Sequence, residues 1–325
     1  NIPVDTLSPN IGLTLVEMTH AIERNEMHGM LIMGENPIVG DPNSNRVRGS
    51  LEKIDFLAVI DIFMTETAQL ADVILPAASF AERRGSKTTT DRRVQWLERA
   101  IQPIGESHPD WQIVCGLAGR LGLRDAFNYD TEDGILDEIR RVAPSYAGIS
   151  AGRLQNTIGG IHWPCPTDDH PGTPILYTNG FNKVDGRGVM KPVEHIESAE
   201  PTSPEYPLVL TSGRVVLHYN SGSMTRRSPA LLKREPEMFI QINPETAREY
   251  GLVTGGLAQV TTRRGSLQAV VRVSLRIPPG VLFMPYHFPT MNQLTIDALD
   301  PTARIPEYKV AACRIEPLGE KERAA

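Results

Sequence analysis

Over the first 150 positions, apolar residues recur in two textures. Leu13, Met18, Ala21 and Ile22 are spaced as one face of a helix running from Leu13 to Glu26, with Gly29 as its stop. Met30-Leu31-Ile32-Met33, Phe56-Leu57-Ala58-Val59-Ile60 and Val73-Ile74-Leu75 are instead short unbroken runs ended by a turn, a proline or a polar residue, the form of strands covered on both faces. A short helical segment is predicted from Thr65 to Leu70, and longer helices over 110–121 and 131–142, the first closed by Gly122. Strands alternating with helices predict an α/β domain with a parallel sheet, in which ligands sit beyond the carboxyl ends of the strands. Gly34, Glu35, Asn36 and Asp61 occupy that place.

From Pro207 the pattern changes to short β-type runs, at 208–210, 239–242, 258–262, 267–273 and 281–284, punctuated by Gly and Pro. This predicts a small β-barrel with one or two helices. Asn243-Pro244 is a helix start with Asn as cap and Pro in the first turn, Gly251 is its stop, and 263–266 is a hairpin turn. Residues 151–204 are rich in Gly, Pro, Asp and Asn without periodicity. The expected organisation is thus an α/β domain over 1–150, an irregular connection over 151–204 and a barrel over 205–325.

Composition narrows the class. The chain of 325 residues is 40% hydrophobic and 22% charged, and no apolar run approaches the roughly 20 residues of a membrane span. Cys115, Cys165 and Cys313 are far apart with no Cys-x-x-Cys pair, which argues against a disulfide framework and against local zinc or iron–sulfur ligation, and favours a reducing, cytoplasmic setting. The first residues carry neither an initiator Met nor a signal-peptide build, so the chain is expected to begin inside a longer polypeptide. The net charge of -6 disfavours nucleic acid as a partner, although residues 205–317 are themselves basic.

The densest polar stretch follows the first barrel strand: Thr211-Ser212-Gly213-Arg214, then His218 through Arg227 with Ser223 and Thr225 among them. Hydroxyls, guanidiniums and glycine-freed N–H groups suit a pyrophosphate, whose oxygens accept several hydrogen bonds at once. The same stretch also has the composition of a polar surface turn. Tyr286-His287-Phe288, Asn292, Tyr308 and Lys309 form a second group, able to stack a flat ring and donate to its edge, or simply to pack. Asp61 either accepts a pair of N–H groups such as a guanine edge presents or caps the segment after it. Asp110 is either a helix cap or a nucleobase contact. There is no P-loop, zinc-peptidase or nucleophile-elbow motif, and His162 lies in a stretch made rigid by Pro164 and Pro166, so no catalytic or metal-ligating residue is assigned.

Several runs resemble, in order, signatures of the molybdopterin oxidoreductases (the DMSO reductase family). They are Ile32-Met33-Gly34-Glu35-Asn36-Pro37, Asp61 through Ala68, Ala71 through Pro76, and Asp110-Trp111-Gln112-Ile113. His218-Tyr219, Ser223-Met224-Thr225 and Pro306 through Lys309 are similar to the dinucleotide-binding domain of formate dehydrogenase catalytic subunits. The resemblance implies a double-psi type barrel and a molybdenum or tungsten ion held by two pterin guanine dinucleotides. It also implies interconversion of formate and carbon dioxide, with electrons leaving through iron–sulfur subunits. Carried over residue by residue, it marks Gly34, Glu35, Asn36, Asp61, Ser79 and Asp110 in the first domain. In the barrel it marks Thr211, Ser212, Arg214, His218, Ser223, Thr225, Tyr286, Asn292, Tyr308 and Lys309. The family's N-terminal [4Fe–4S] cysteines and its metal-ligating Cys or selenocysteine are not in this sequence. The resemblance therefore implies a cofactor-binding C-terminal part that pairs with an N-terminal part on the same or another chain. The alternatives are a nitrate-reductase-type relative and a non-catalytic scaffold or electron-transfer subunit of a respiratory complex.

Overall fold

The computed structural model describes residues 7–320. The described residues form two compact units, one from Gly12–Ile74 together with 195–320, the other from Leu75–Glu194 with 7–11. The grouping joins the first predicted strands to the barrel, which differs from a division in simple chain order. The physical reason is a set of side-chain bonds between residues 14–67 and residues 223–304, described below.

Helix α1 (Leu15–Glu23) is opened by a capping box in which Thr14 and Glu17 bond one another. Strand β1 (Gly29–Met33) breaks at Gly34, where φ is +66°, into α2 (Pro37–Gly40) and α3 (Ser44–Leu51). Strand β2 (Phe56–Asp61) pairs in parallel with β1, Gly29 opposite Phe56, and β3 (Val73–Pro76) completes a sheet of order β1-β2-β3. Ile22, Ile32, Ile38, Val47, Leu51, Leu57 and Val59 form its core. The helix predicted over 65–70 is only a 3-10 turn, Ala68–Leu70.

The second unit contains two strands that apolar periodicity does not reveal. Strand β4 (Gly85–Thr88) is polar and mostly exposed, and β5 (Arg93–Leu97) buries mainly Val94. Helices α4 (Asp110–Arg120) and α5 (Glu132–Val142) lie where predicted, with Thr131 capping α5. The connection read as irregular begins with α6 (Ala151–Gln155) and β6 (Ile161–His162), the latter antiparallel to β5. Val94, Leu136, Ile149, Leu154, Ile161 and Cys165 make one core beneath them. Residues 174–199 are without helix or strand.

The barrel comprises β7 (Leu208–Gly213), α7 (Pro229–Arg234), β8 (Phe239–Ile242), α8 (Pro244–Glu249), β9 (Gly256–Thr262), β10 (Gly265–Val273), β11 (Val281–Pro285) and β12 (Ala311–Glu320). It closes in the order β10-β8-β11-β7-β12-β9. Strict alternation in β7 and β9 sends Leu208, Leu210, Ala258 and Val260 inward against Ile240, Ile242, Val271, Leu282 and Met284. Strand β12 escapes prediction because Ile315 is its one large buried residue beside the small Ala311, Ala312 and Cys313, and Pro317 sits at a bulge in its pairing with β9. The three cysteines are free.

Candidate functional site

Strand β7 pairs with β11 in parallel, Gly213 opposite Pro285, and β12 enters antiparallel to β7 with Ala311 opposite Leu210. Three chain segments therefore meet at one end of the barrel: Ser212 to Arg214, Tyr286 to His287, and Tyr308 to Lys309. Ser212 Oγ donates to the Tyr308 carbonyl (2.8 Å), and Lys309 Nζ donates to the Ser212 carbonyl (2.8 Å). Arg214 Nε donates to Tyr286 Oη (2.8 Å). Arg214 and Lys309 are nevertheless exposed, and each keeps further N–H donors for a ligand. Partial burial, then the Arg214 charge, lowers the Lys309 ammonium, so an anion that approaches both cations relieves their repulsion. Thr211 is half-buried one position before Ser212.

Two histidines shape the loop that follows β7. The Val215 N–H donates to His287 Nε2 (2.9 Å), so the ring proton sits on Nδ1 and is given to the Asn220 carbonyl. Burial holds this imidazole below its ordinary range and hence neutral. His218 Nε2 lies 2.8 Å from the Glu235 carbonyl and Nδ1 3.1 Å from Thr225 Oγ1, which also accepts the Tyr219 N–H. Phe288 packs edge-on against His218. Both nitrogens of His218, and Thr225 with it, are thus employed inside the chain and set the shape of the loop.

The loop is tied to the turns after β1 and β2. Asn36 Nδ2 donates to Glu66 Oε2 (2.8 Å) and Ser223 Oγ (3.0 Å), while its Oδ1 accepts from the Thr67 N–H and hydroxyl. Arg226 pairs with Glu66 at 3.3 Å, and Arg227 lies over the Phe63 ring and donates to the Met64 carbonyl. Asn292, almost wholly buried, donates to the carbonyls of Val39 and Gly40 and so holds α2. Asp61 accepts from the Ile62 N–H and the Thr65 hydroxyl, which makes it the cap of its own turn. Burial raises its carboxyl, against those hydrogen bonds.

The predicted residues of this unit therefore divide into two groups. Gly34, Glu35, Arg214, Tyr286 and Lys309 present exposed or partly exposed groups. Asn36, Asp61, Ser212, His218, Ser223, Thr225, Asn292 and the Tyr308 carbonyl hold the surface together. Ser79 and Asp110 belong to the other unit. There the Ser79 N–H donates to Glu82, and Asp110 is the first residue of α4 rather than its cap, which is Pro109; Asp110 faces Arg83 at 3.6 Å. Glu66 and Asp41 carry no role in the sequence reading, and His287, read there within the ring-stacking group, instead shapes the loop after β7. Their environment depends on packing, and only the polar run beside Arg226 hinted at an ion pair.

Arg226 Nε, buried without a hydrogen-bond partner, favours a bound anionic group. Gly222 has φ +72°, and a Cβ there would lie 2.5 Å from the His287 carbonyl and 2.9 Å from Arg226 Nε. Gly222→Ala is accordingly expected to displace the loop and cost about 1–3 kcal/mol, measurable by urea unfolding.

Residues 208–312 match the molydopterin dinucleotide binding domain, and residues 4–120 match the molybdopterin oxidoreductase family. The F420-dependent formate dehydrogenase subunit alpha of Methanocaldococcus jannaschii is 47% identical over 312 residues, 95% of this chain and 46% of that protein. The assimilatory nitrate reductase catalytic subunit of Bacillus subtilis is 39% identical over 320 residues, 95% of this chain and 45% of that one. The chain thus spans about half the length of the curated relatives it matches. The solved structure of acetylene hydratase from Pelobacter acetylenicus shares the fold, with a TM-score of 0.69 at 20% identity over 92% of this chain and 46% of that one. The family matches fall on the parallel sheet with the start of the other unit, and on the barrel whose end gathers the exposed cations: the chain belongs to the molybdopterin oxidoreductases.

Proposed function

We propose that this chain is the C-terminal, cofactor-binding part of a formate dehydrogenase catalytic subunit, and that the barrel end grips the guanine dinucleotide form of a molybdenum or tungsten pterin cofactor. The observation that carries the reading is the juxtaposition of Arg214 and Lys309 with Tyr286 and the polar loop 214–227, on a chain 47% identical to a formate dehydrogenase alpha subunit. Arg214 and Lys309 neutralise the pyrophosphate, Tyr286 lies beside a ring, and the Gly34 turn, with no atom within 4 Å of a Cβ placed there, admits close approach. When bound, the cofactor's metal supplies the two-electron redox chemistry that interconverts formate and carbon dioxide. This chain's residues bind and orient it. The metal's protein ligand, the [4Fe–4S] centre and the electron-transfer subunits belong to partner segments or chains. A cytoplasmic location is part of the same reading; among the described residues no helix is long and apolar enough to cross a membrane.

Arg214→Ala tests the grip. Metal and guanine nucleotide released on denaturing the purified protein should fall at least tenfold. The melting temperature should stay within about 2 °C, as for an exposed substitution. Parallel loss of both would make Arg214 structural, and a wild-type preparation with no guanine nucleotide would remove the cofactor reading. The nitrate reductase relative at 39% identity supports a second reading, separated by assaying the complete enzyme with formate and with nitrate.

A further inference from the structure

Asp41 follows α2 at the far end of the turn that opens at Gly34. Its side chain is buried, with 4% of the residue exposed, and Oδ2 has no hydrogen-bond partner. The ionisable groups that act on it electrostatically are Glu35 and Tyr308. Burial, then the Glu35 charge, pushes the Asp41 carboxyl up to about 7. The Tyr308 hydroxyl is in turn pushed up by burial and by the charges of Asp41 and Glu35. Asp41 directly follows the Val39 and Gly40 carbonyls that Asn292 of the barrel segment holds, within electrostatic reach of Tyr308 and outside the hydrogen bonds that build the grip.

A carboxylate without a partner in a buried setting is costly to keep, and among the described residues nothing offsets that cost. The matching chemistry is a pair of adjacent N–H donors, because an ionised carboxylate only accepts and its two oxygens can take two donors side by side. A 2-amino-4-oxopyrimidine ring presents such a pair, a ring N–H next to an exocyclic amino group. Guanine and pterin both contain it, and adenine does not.

We propose that Asp41 receives the paired N–H donors of a 2-amino-4-oxopyrimidine ring, guanine or pterin, and so reads the heterocycle of the ligand whose phosphates Arg214 and Lys309 hold. The proposal rests on the dinucleotide reading above. Because the ionised form is the acceptor, binding strengthens as pH rises through 7. With the carboxyl titrating near 7, affinity at pH 6 is roughly tenfold weaker than at pH 8.

The test is a titration of the protein prepared without cofactor, at pH 6 and pH 8, with GMP, 6-hydroxymethylpterin and AMP. Wild type is expected to bind GMP or the pterin, and whichever binds identifies the ring that Asp41 reads; AMP should bind at least tenfold more weakly than that ring. Asp41→Asn should lower affinity for that ring at least tenfold and abolish the pH dependence. Its melting temperature at pH 8 should not fall, because a neutral amide replaces a buried, unpaired charge. Unchanged binding by D41N, binding of AMP as tight as that of the ring that binds, or a melting temperature that drops in step with affinity would each overturn the role of Asp41 and leave the dinucleotide reading standing. Failure of wild type to bind either GMP or the pterin overturns both.

Discussion

Replacing Glu200 with alanine lowers the stability of the barrel unit by about 3–5 kcal/mol, the scale of breaking a buried ion pair and stranding its partner. Glu200 accepts two bonds from Arg264, at 2.8 and 2.7 Å, pairs with Arg263 at 2.9 Å and takes the Ala312 N–H of β12 at 3.0 Å. The Glu200 and Arg264 side chains are 7% and 12% exposed, so removing the carboxylate leaves a guanidinium with little water. The exposed pair of Arg24 and Glu26 has comparable geometry but is solvated on both sides, so its attraction is screened. Burial raises the Glu200 carboxyl, but hydrogen bonds from Arg264 and Arg263 outweigh it and bring it below the usual range. The stabilisation is therefore complete above the ordinary glutamate value and is lost as pH falls through the folded value. Urea unfolding of wild type and variant at neutral and acid pH measures this, and the gap should narrow in acid. A gap under about 1 kcal/mol at pH 7 would place the cluster among solvated surface pairs.

Asn36→Ala should cost about 2–4 kcal/mol. The asparagine uses both amide hydrogens and accepts twice at Oδ1, and its truncation leaves the fully buried Thr67 short of a partner for its N–H and its hydroxyl. Asn36→Asp should be worse than alanine, since a carboxylate cannot donate to Glu66 and would bring a second negative charge to its side. Chemical unfolding of the two variants gives the order. If Asn36→Ala instead lost cofactor with stability unchanged, the side chain would be a ligand contact rather than a strut between turns.

Legibility in the sequence followed the size of the buried side chains. Strand β2 lies where its apolar run predicts, and β7 to β11 lie within a few residues, because Leu, Ile and Val alternate or cluster there. Strands β4 and β12 were illegible, the first for lack of apolar residues and the second because Ile315 alone is large among its buried residues, the others being Ala311, Ala312 and Cys313. The candidate site shows the same division. Hydroxyls and guanidiniums crowded after β7 were visible as a polar run, and the resemblance marked the turns after β1 and β2. Whether a given side chain faces outward, as Arg214 does, or spends its atoms within the chain, as His218 and Asn36 do, depends on partners distant in sequence. Asp41 left no trace in the pattern, because a single acid after a turn is an ordinary surface residue until packing covers it.

Strand β12 pairs with β7, about a hundred residues earlier, and with β9, and Lys309 just before it clasps the Ser212 carbonyl. During synthesis, β7 and its polar loop leave the ribosome with both flanks open, one until β11 and the other until β12 has emerged. On the proposed function, the grip on the dinucleotide is complete only then, so loading follows translation of β12 rather than accompanying it.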